Sequence, residues 1–443
     1  MKALKALSFC LIAILGLTSV VTGASSPEIQ STILYVRPSA NGTCVSWAEA
    51  CELQTALSLA EPGDQVWVAT GGYTPTNIGD REASFQLESG IAIYGGFPYA
   101  GGGWETRDWE TNITVLSGDL GILGVTTDNS YHVVTGIGVT ETAILDGFMI
   151  NAGNANGSAP NNNGGGMYNM SCSPTLTNII FLQNFADYGG GMYNSSSNPI
   201  LSNTTFTGNS AAFLGGGIYN VVSSPFLNNV TFSGNSALGG GGIYQDSGNP
   251  TLTNITFTGN SATNGGGILI NNSSPTLTNV TFSGNSASGG GAMINFYSNP
   301  TLTNVTFTGN SATNGGWIYN FYSNPILTNA IVWGNTPDQI YNDNSSPTIT
   351  YSDIQGGHTG EGNIDANPIL DSLANNGGFT QTHALGAGSP AIDAGNQAVC
   401  PLTDQRGFFR PIDGDGDGTA RCDMGSYEYE IPVYYNYLPT IVR

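Results

Sequence analysis

The feature that most constrains this chain is a repeat of about 25 residues that hardly varies. Residues 251–275 read TLTNITFTGNSATNGGGILINNSSP, and the next 25 read TLTNVTFSGNSASGGGAMINFYSNP. Prolines mark the phase at Pro174, Pro199, Pro225, Pro250, Pro275, Pro300 and Pro325, with spacings of 25, 26, 25, 25, 25 and 25. A phenylalanine stands seven residues after each of the first six, at Phe181, Phe206, Phe232, Phe257, Phe282 and Phe307. Three residues further on comes an asparagine, at Asn184, Asn209, Asn235, Asn260, Asn285 and Asn310, and then a glycine run such as Gly265–Gly267. Phase this strict belongs to a solenoid, in which each unit stacks only on its neighbours and equivalent side chains must meet.

Two solenoids have a period near 25. Leu252-x-x-Ile255-x-Phe257-x-x-Asn260 matches the strand half of a leucine-rich repeat, but that architecture closes each turn with a helical or helix-like segment. Here the other half reads SATNGGGILINNSSP, whose glycines, asparagines, serines and proline are poor helix residues. Ile255 and Phe257 alternate with threonines, and Ile268 with Ile270 does the same, which is strand periodicity in β-branched residues. The reading is a parallel β-helix: short strands bent at Asn and Gly, inward Leu, Ile and Phe in axial stacks, and asparagine ladders with rungs ~4.8 Å apart.

The F-x-x-N followed by G-G-[GA]-[IM], as in Phe282–Asn285 and Gly289–Met293, resembles the repeats of chlamydial polymorphic outer-membrane proteins. That resemblance implies a surface protein of right-handed β-helix type. The expected fold class is therefore all-β: a right-handed parallel β-helix (a pectin-lyase-like solenoid) with an N-terminal capping helix and a C-terminal β-rich cap module. No stretch like that family's membrane β-barrel follows the repeats.

Residues 1–24 have Lys2 and Lys5, an apolar run from Leu7 to Val21, and the small residues Thr22-Gly23-Ala24. This is the pattern of a secretory signal peptide, and a membrane anchor is the alternative. No other stretch approaches the length that spans a bilayer. Residues 25–140 are expected to hold the N-terminal cap and first coils. Ile33–Val36 reads as a strand, residues 51–60 as a helix and Gln65–Ala69 as the next strand. This order resembles the start of bacterial right-handed β-helix proteins, where a helix covers the open end of the stack. The repeats occupy 141–337, and at Pro347, 22 residues after Pro325, their phase is lost.

Residues 338–430 hold the last coils and a distinct module. Its motifs are Asn363-Ile-Asp-Ala-Asn-Pro368, Leu373-Ala-Asn-Asn-Gly-Gly-Phe379, Gly388-Ser-Pro-Ala-Ile-Asp393, Asp404-Gln-Arg-Gly407, Arg410-Pro411 and Met424-Gly-Ser-Tyr-Glu428. Together they resemble the choice-of-anchor Q domain, which implies display at the cell surface and lends no activity. Residues 431–443, ending Tyr437–Arg443, read as a short sorting tail or a final strand. In an exported chain local cysteine pairs favour disulfides, Cys44 with Cys51 and Cys400 with Cys422, leaving Cys172 as a buried or half-buried thiol.

The formal charge is −22, and both lysines lie in the leader, so the remainder sets seven arginines against 31 acids. Such a surface argues against nucleic acid and anionic membranes as partners, and leaves extracellular glycans or surface proteins. Paired carboxylates would be needed for glycoside hydrolysis. Between Ala143 and Thr336 the only charged residues are Asp146, Asp187 and Asp246, and the last two differ in repeat phase. The leading reading is a non-catalytic secreted or cell-surface β-helix, adhesin-like or structural. A polysaccharide lyase or glycoside hydrolase of the pectin-lyase-like type is the alternative, and a carbohydrate-binding module without turnover a third class. Phe296-Tyr297 and Phe321-Tyr322 share one phase, so they stack either as a glycan platform or as a purely structural ladder. Asp413, Asp415 and Asp417 alternate with glycines in D-G-D-G-D-G, the first half of a calcium loop, with Asp423 close to where a twelfth-position ligand would stand. This pattern points to structural Ca²⁺, and a solvated acidic turn closed by the Cys400–Cys422 bridge is the alternative. The histidines His132, His358 and His383 read as hydrogen-bonded structural residues.

Overall fold

The computed structural model describes residues 31–76, 79–337 and 340–431. The leader 1–24 and the tail 437–443 lie outside the described residues.

One repeat shows how the sequence makes a coil. In the strand Thr251–Thr258, Leu252, Ile255 and Phe257 are all buried. Leu252 and Ile255 are three apart, which strict alternation would send to opposite faces. Asn254 reconciles them by taking left-handed backbone, φ 57°, a conformation that asparagine tolerates better than most residues. The strand bends there and the pleat resumes with Ile255 inward. Gly259 and Asn260 turn the chain into Ser261–Asn264. The glycine run turns it again into Ile268–Asn271, and 272–275 lead back to the next coil. The run is a steric requirement: at Gly265, φ 66°, an added Cβ would stand 2.5 Å from the Ile268 carbonyl oxygen.

About eleven such turns stack, and every strand pair in the sheets is parallel. Leu252 lies opposite Leu227 and Leu277, and Phe257 opposite Phe232 and Phe282. Among the described residues three sheets result, of 16, ten and five strands. The largest contains Thr251–Thr258 and its equivalents, the ten-stranded sheet Ile268–Asn271, and the five-stranded sheet Ser261–Asn264. The expected Phe column forms: Phe181 to Phe307 are fully buried, with neighbouring ring centroids 4.6 to 5.0 Å apart. Each ring contributes roughly 1.5–3 kcal/mol by leaving water. The asparagine ladder forms beside it. Asn260 Nδ2 donates to Asn285 Oδ1 and to the Phe232 carbonyl, both at 2.9 Å, and the pattern repeats from Asn184 to Asn310.

The helix expected near 51–60 spans Leu53–Leu59 and buries Leu53 and Ala56 against the first two strands, Ile33–Val36 and Gln65–Ala69. It covers apolar rungs and strand edges that would otherwise meet solvent. Both disulfides are present, Cys44–Cys51 and Cys400–Cys422, and Cys172 is a buried free thiol.

The C-terminal module differs from the β-rich end cap that its sequence suggested. Past Asp353–Ile354, the last strand among the described residues, it is held by isolated antiparallel bridges such as Leu370 with Leu385 and Ile412 with Arg421, and by a short 3₁₀ turn at Gln397–Val399. Its first stretch lies against the last coil, Ile354 N donating to the Ile364 carbonyl and Ile364 N to the Ser352 carbonyl, and later segments fold back along the outer face of the largest sheet. There the outward threonines of three successive coils, Thr256, Thr281 and Thr306, are fully buried. Gln405 bridges the first two through its amide, at 2.8 Å to Thr256 Oγ1 and 2.7 Å from Thr281 Oγ1, and Ser426 meets Thr281 and Thr306. A small apolar cluster of Ile331, Leu385, Ala391, Ile392 and Met424 seals the junction. A hydroxyl ladder with fixed spacing offers hydrogen bonds to irregular chain, so no added strand is needed for the module to dock.

Candidate functional site

The three carboxylates of the central coils are kept apart by the fold. Asp146 lies on the largest sheet, paired with Arg107 at 2.8 Å and accepting from Asn178 Nδ2 at 2.8 Å. Asp187 sits in Phe185–Tyr188 of the five-stranded sheet, and Asp246 in Ile243–Asp246 of the ten-stranded sheet. Each faces a different side of the coil, so the three do not converge on one bond. His132 is buried and bonded to the Gly164 carbonyl, and burial holds its pKa below the usual value. His383, also lowered by burial, joins the Asp371 carbonyl to Ser283 Oγ and so helps to pin the C-terminal module.

The structure brings the aromatic residues together as their phase requires. Tyr297 and Tyr322 are about half exposed and stack with centroids 5.5 Å apart and an interplanar angle of 14°. Phe296 and Phe321 meet edge to face at 5.9 Å behind them. Both tyrosines hold left-handed backbone, φ 48° and 47°, at a corner that Ser171, Ser196, Val222, Ser247 and Asn272 occupy in earlier coils. Phe321 also packs edge to face against both rings, at 5.5 Å to Tyr297 and 4.7 Å to Tyr322, and about half of each tyrosine stays exposed. A longer ladder escaped the sequence reading. Tyr168, Tyr193, Tyr219 and Tyr244 stack along the outside of the ten-stranded sheet at 5.1 to 5.6 Å; Leu269 and Ile294 take the position in the next two coils, and beyond them Tyr319 stacks with Tyr341 at 4.8 Å. Its signal is the tyrosine before the Asn or Gln that follows most of the glycine runs, as in Tyr193-Asn194 and Tyr219-Asn220. Burial raises the pKa of Tyr193, Tyr219 and Tyr244, which keeps their hydroxyls protonated donors.

Among the expected metal ligands, Asp413 and Asp415 come together, but their third partner is Asp393. One oxygen from each of these three lies within 4.8 Å of the others. Asp423 is a correction to the sequence reading: it is fully buried and accepts from the Asp393 and Tyr429 amides at 2.8 and 2.6 Å, facing away from the loop. Asp417 is exposed, takes the Thr419 amide at 2.7 Å and stands outside the three. The loop folds on its own carboxylates: Asp413 accepts from Gly416 and Gly418, and Asp393 from Gly414, Asp415 and Arg421. Asp393 was visible in Gly388–Asp393, but 20 residues separate it from Asp413, and only folding makes them neighbours. The described chemistry is hard oxygen donors, which suits Ca²⁺.

Beneath the loop lies a buried ionic cluster. Arg406 pairs with Asp404 at 2.7 Å and Arg410 with Glu428 at 3.2 Å. Arg410 also reaches the Gly425 carbonyl at 3.0 Å. Burial, with Glu428 alongside, pushes the Asp423 carboxyl well above the usual carboxylate range. Burial likewise raises Glu428 and lowers Arg410. This cluster organises the module, and its groups face one another rather than a cleft.

Residues 241–363 match the family profile described as right handed beta helix region, and 203–221 and 229–246 match the Chlamydia polymorphic membrane protein repeat. The chain is a right-handed β-helix repeat protein. None of the curated proteins matches it in sequence. Among solved structures it is similar to pectate lyase Pel9A, at 14% identity over 91% of this chain and 98% of that chain, with a TM-score of 0.49. It is also similar to the catalytic unit of a thermostable GH87 alpha-1,3-glucanase from Streptomyces thermodiastaticus strain HF3-3, at 12% identity over 77% and 70% of the two chains, with a TM-score of 0.26.

Proposed function

We propose that this β-helix is exported and displayed at the cell surface, with an adhesin-like or structural role and no catalytic turnover. The observation that carries this reading is the make-up of the coils' outer faces. They present an asparagine ladder whose amides bond from coil to coil, as Asn203 to Asn178 and Asn229 to Asn203, with stacked tyrosines and threonines that the C-terminal module covers in part, and their three carboxylates point to three different sides. Glycoside cleavage calls for two carboxyl groups flanking one bond, and proton abstraction calls for a base within reach of the carbon acid. The leader pattern, the two disulfides and the name of the matched repeat support a surface setting. The outer faces and hydroxyls of Tyr297 and Tyr322 are the proposed contact for extracellular glycans. Asp393, Asp413 and Asp415 are the proposed structural Ca²⁺ site, where a cation would offset the repulsion of three close carboxylates and tie the loop to the module.

The test incubates the purified chain with a panel of uronates and neutral plant and algal glycans. Binding on a glycan array that is lost in a Tyr297→Ala, Tyr322→Ala double variant, with no new reducing ends and no unsaturated products, is the expected result. Turnover of any glycan in the panel overturns the non-catalytic reading. Array binding that survives the double variant overturns the tyrosine contact.

A further inference from the structure

The loop at 118–130 is closed at its base. There the Gly118 amide donates to the Asn151 carbonyl at 2.9 Å, and the Gly118 carbonyl accepts from the Ser130 amide at 2.8 Å. The loop is braced from within: Asp119 Oδ2 accepts from Gly124 N at 2.9 Å, and Asp128 Oδ2 from Ile122 N at 2.8 Å. Asn129 Nδ2 and Asn154 Nδ2 tie it to the coil edge, donating to the Ala152 and Thr126 carbonyls. Each carboxylate therefore spends one oxygen on the loop's own backbone and keeps the other.

Those second oxygens are buried in company. Asp119 Oδ1, Asp128 Oδ1, Asn129 Oδ1, Ser130 Oγ and Asn151 Oδ1 all lie out of reach of solvent with no hydrogen-bond partner among the described residues. They are five of the 14 such side-chain atoms there, gathered at one place. Asn129 is only 4% exposed and Ser130 is fully buried. The bonds at Gly118 account for the crowding. Asp119 follows Gly118 in the chain, Asn151 and Ser130 are bonded to it, and Asn129 and Asp128 directly precede Ser130. A buried oxygen without a donor costs about 1–3 kcal/mol, and two of these belong to carboxylates. Among the described residues neither carboxylate has an ion-pair partner. Arg81 gives its hydrogens instead to the Asn129 and Asn154 carbonyls and to Asn156 Oδ1.

We propose that the base of this loop encloses a Ca²⁺ ion, held by Asp119, Asp128, Asn129 and Asn151 through their Oδ1 atoms, with Ser130 Oγ beside them. A buried water has two hydrogens to give and no charge, too little for four acceptors of which two are anionic. Ca²⁺ takes carboxylate and amide oxygens alike, at about 2.3–2.6 Å and in loose geometries. Oxygens closed around a point at that distance leave no room for a water-sized sphere, so ligands without accessible surface are what such a cage shows. Mg²⁺ keeps several of its waters, which a site this enclosed does not admit. The ion fastens to the first coils a loop whose tip, Ile122 and Leu123, is otherwise exposed. The site shares no residue with Asp393, Asp413 and Asp415, so either can fail without the other.

The test uses the full chain carrying Asp393→Ala, which removes the other proposed Ca²⁺ site. Calorimetric titration is expected to show Ca²⁺ binding that Asp119→Asn and Asp128→Asn, which keep each side chain's size, weaken about tenfold or more, about 1.4 kcal/mol. Asn151→Asp adds a charge to the cage and is expected to tighten binding, because affinity follows ligand charge. That readout remains if a weakening variant fails to melt like the parent. Limited proteolysis supplies another. Cleavage at the tip needs the loop unfolded and follows the population of the open form. Ca²⁺ at about ten times its Kd is therefore expected to slow cuts at 121–125 about tenfold relative to a chelator, and Mg²⁺ at the same concentration far less. No Ca²⁺ binding at about 10 mM, beyond the range of extracellular Ca²⁺ modules, overturns the proposal. So does binding that Asp119→Asn leaves intact, binding that Asn151→Asp fails to tighten, equal cleavage with Ca²⁺ and with chelator, or equal protection by Mg²⁺.

Discussion

Replacing Asn260 by leucine tests the idea that the buried amide ladder, as much as the phenylalanine column, holds the coils in register. Asn260 sits mid-stack and is fully buried. Its Oδ1 accepts from the Asn235 backbone amide at 3.0 Å and from Asn235 Nδ2 at 2.9 Å, and its own Nδ2 donates to Asn285 Oδ1 and the Phe232 carbonyl. Leucine has nearly the same shape but none of these groups. The Asn235 N–H and one of its side-chain hydrogens lose their acceptor, while Asn285 Oδ1 keeps the Asn260 backbone amide at 3.0 Å. Two orphaned buried donors at ~1–3 kcal/mol each, plus two lost bonds at ~1 kcal/mol each, come to about 4–8 kcal/mol. Added apolar burial returns ~1–2 kcal/mol, so a net loss of about 2–7 kcal/mol is expected. Urea unfolding gives the total. Because each coil leans only on its neighbours, hydrogen exchange should show protection lost first around residues 226–258 and 276–283. A loss below about 1 kcal/mol, or loss of protection spread evenly over the stack, refutes the reasoning.

Phe257→Asp puts an unpaired charge between Phe232 and Phe282 in a dry column, a change among the most costly available; a large fall in melting temperature is expected, and an unchanged melt with unchanged far-ultraviolet circular dichroism counts against it. Calorimetric titration of the full chain with Ca²⁺ is expected to show binding that Asp393→Ala and Asp415→Ala each weaken and Asp417→Ala affects much less; equal loss in all three restores the linear-loop arrangement, and no heat at about millimolar Ca²⁺ leaves an acidic turn. Burial beside Glu428 raises the Asp423 carboxyl in the folded chain above its unfolded value near 4. Above that value the folded state binds the extra proton, so this residue makes stability fall as pH rises from about 4 toward neutrality. Asp423→Asn is expected to flatten that fall, and denaturation curves at intervals across the window that keep the parent's slope show that Asp423 is not its source.

The periodic part of the molecule was legible because it is written many times. A 25-residue phase with Phe, Asn and Gly at constant offsets admits one kind of stack, and repetition made each inward residue, Leu252 or Phe257 alike, recognisable from its neighbours' pattern. The capping helix and the cysteine pairs were equally readable, because both are local in sequence. Even the Tyr297–Tyr322 stack followed from phase alone.

What only the tertiary structure decided are contacts made once, between segments far apart. Asp393 joins Asp413 and Asp415 while Asp423 turns inward, because the fold of the module, not the loop's spacing, sets which carboxylates meet. The module lies along the Thr256, Thr281 and Thr306 ladder, 75 residues and more from its own segments at 381–426, since a row of evenly spaced hydroxyls can hold irregular chain at any matching position. Repetition carries information about neighbours at a fixed offset; a contact that occurs once has no second copy in the sequence to reveal it.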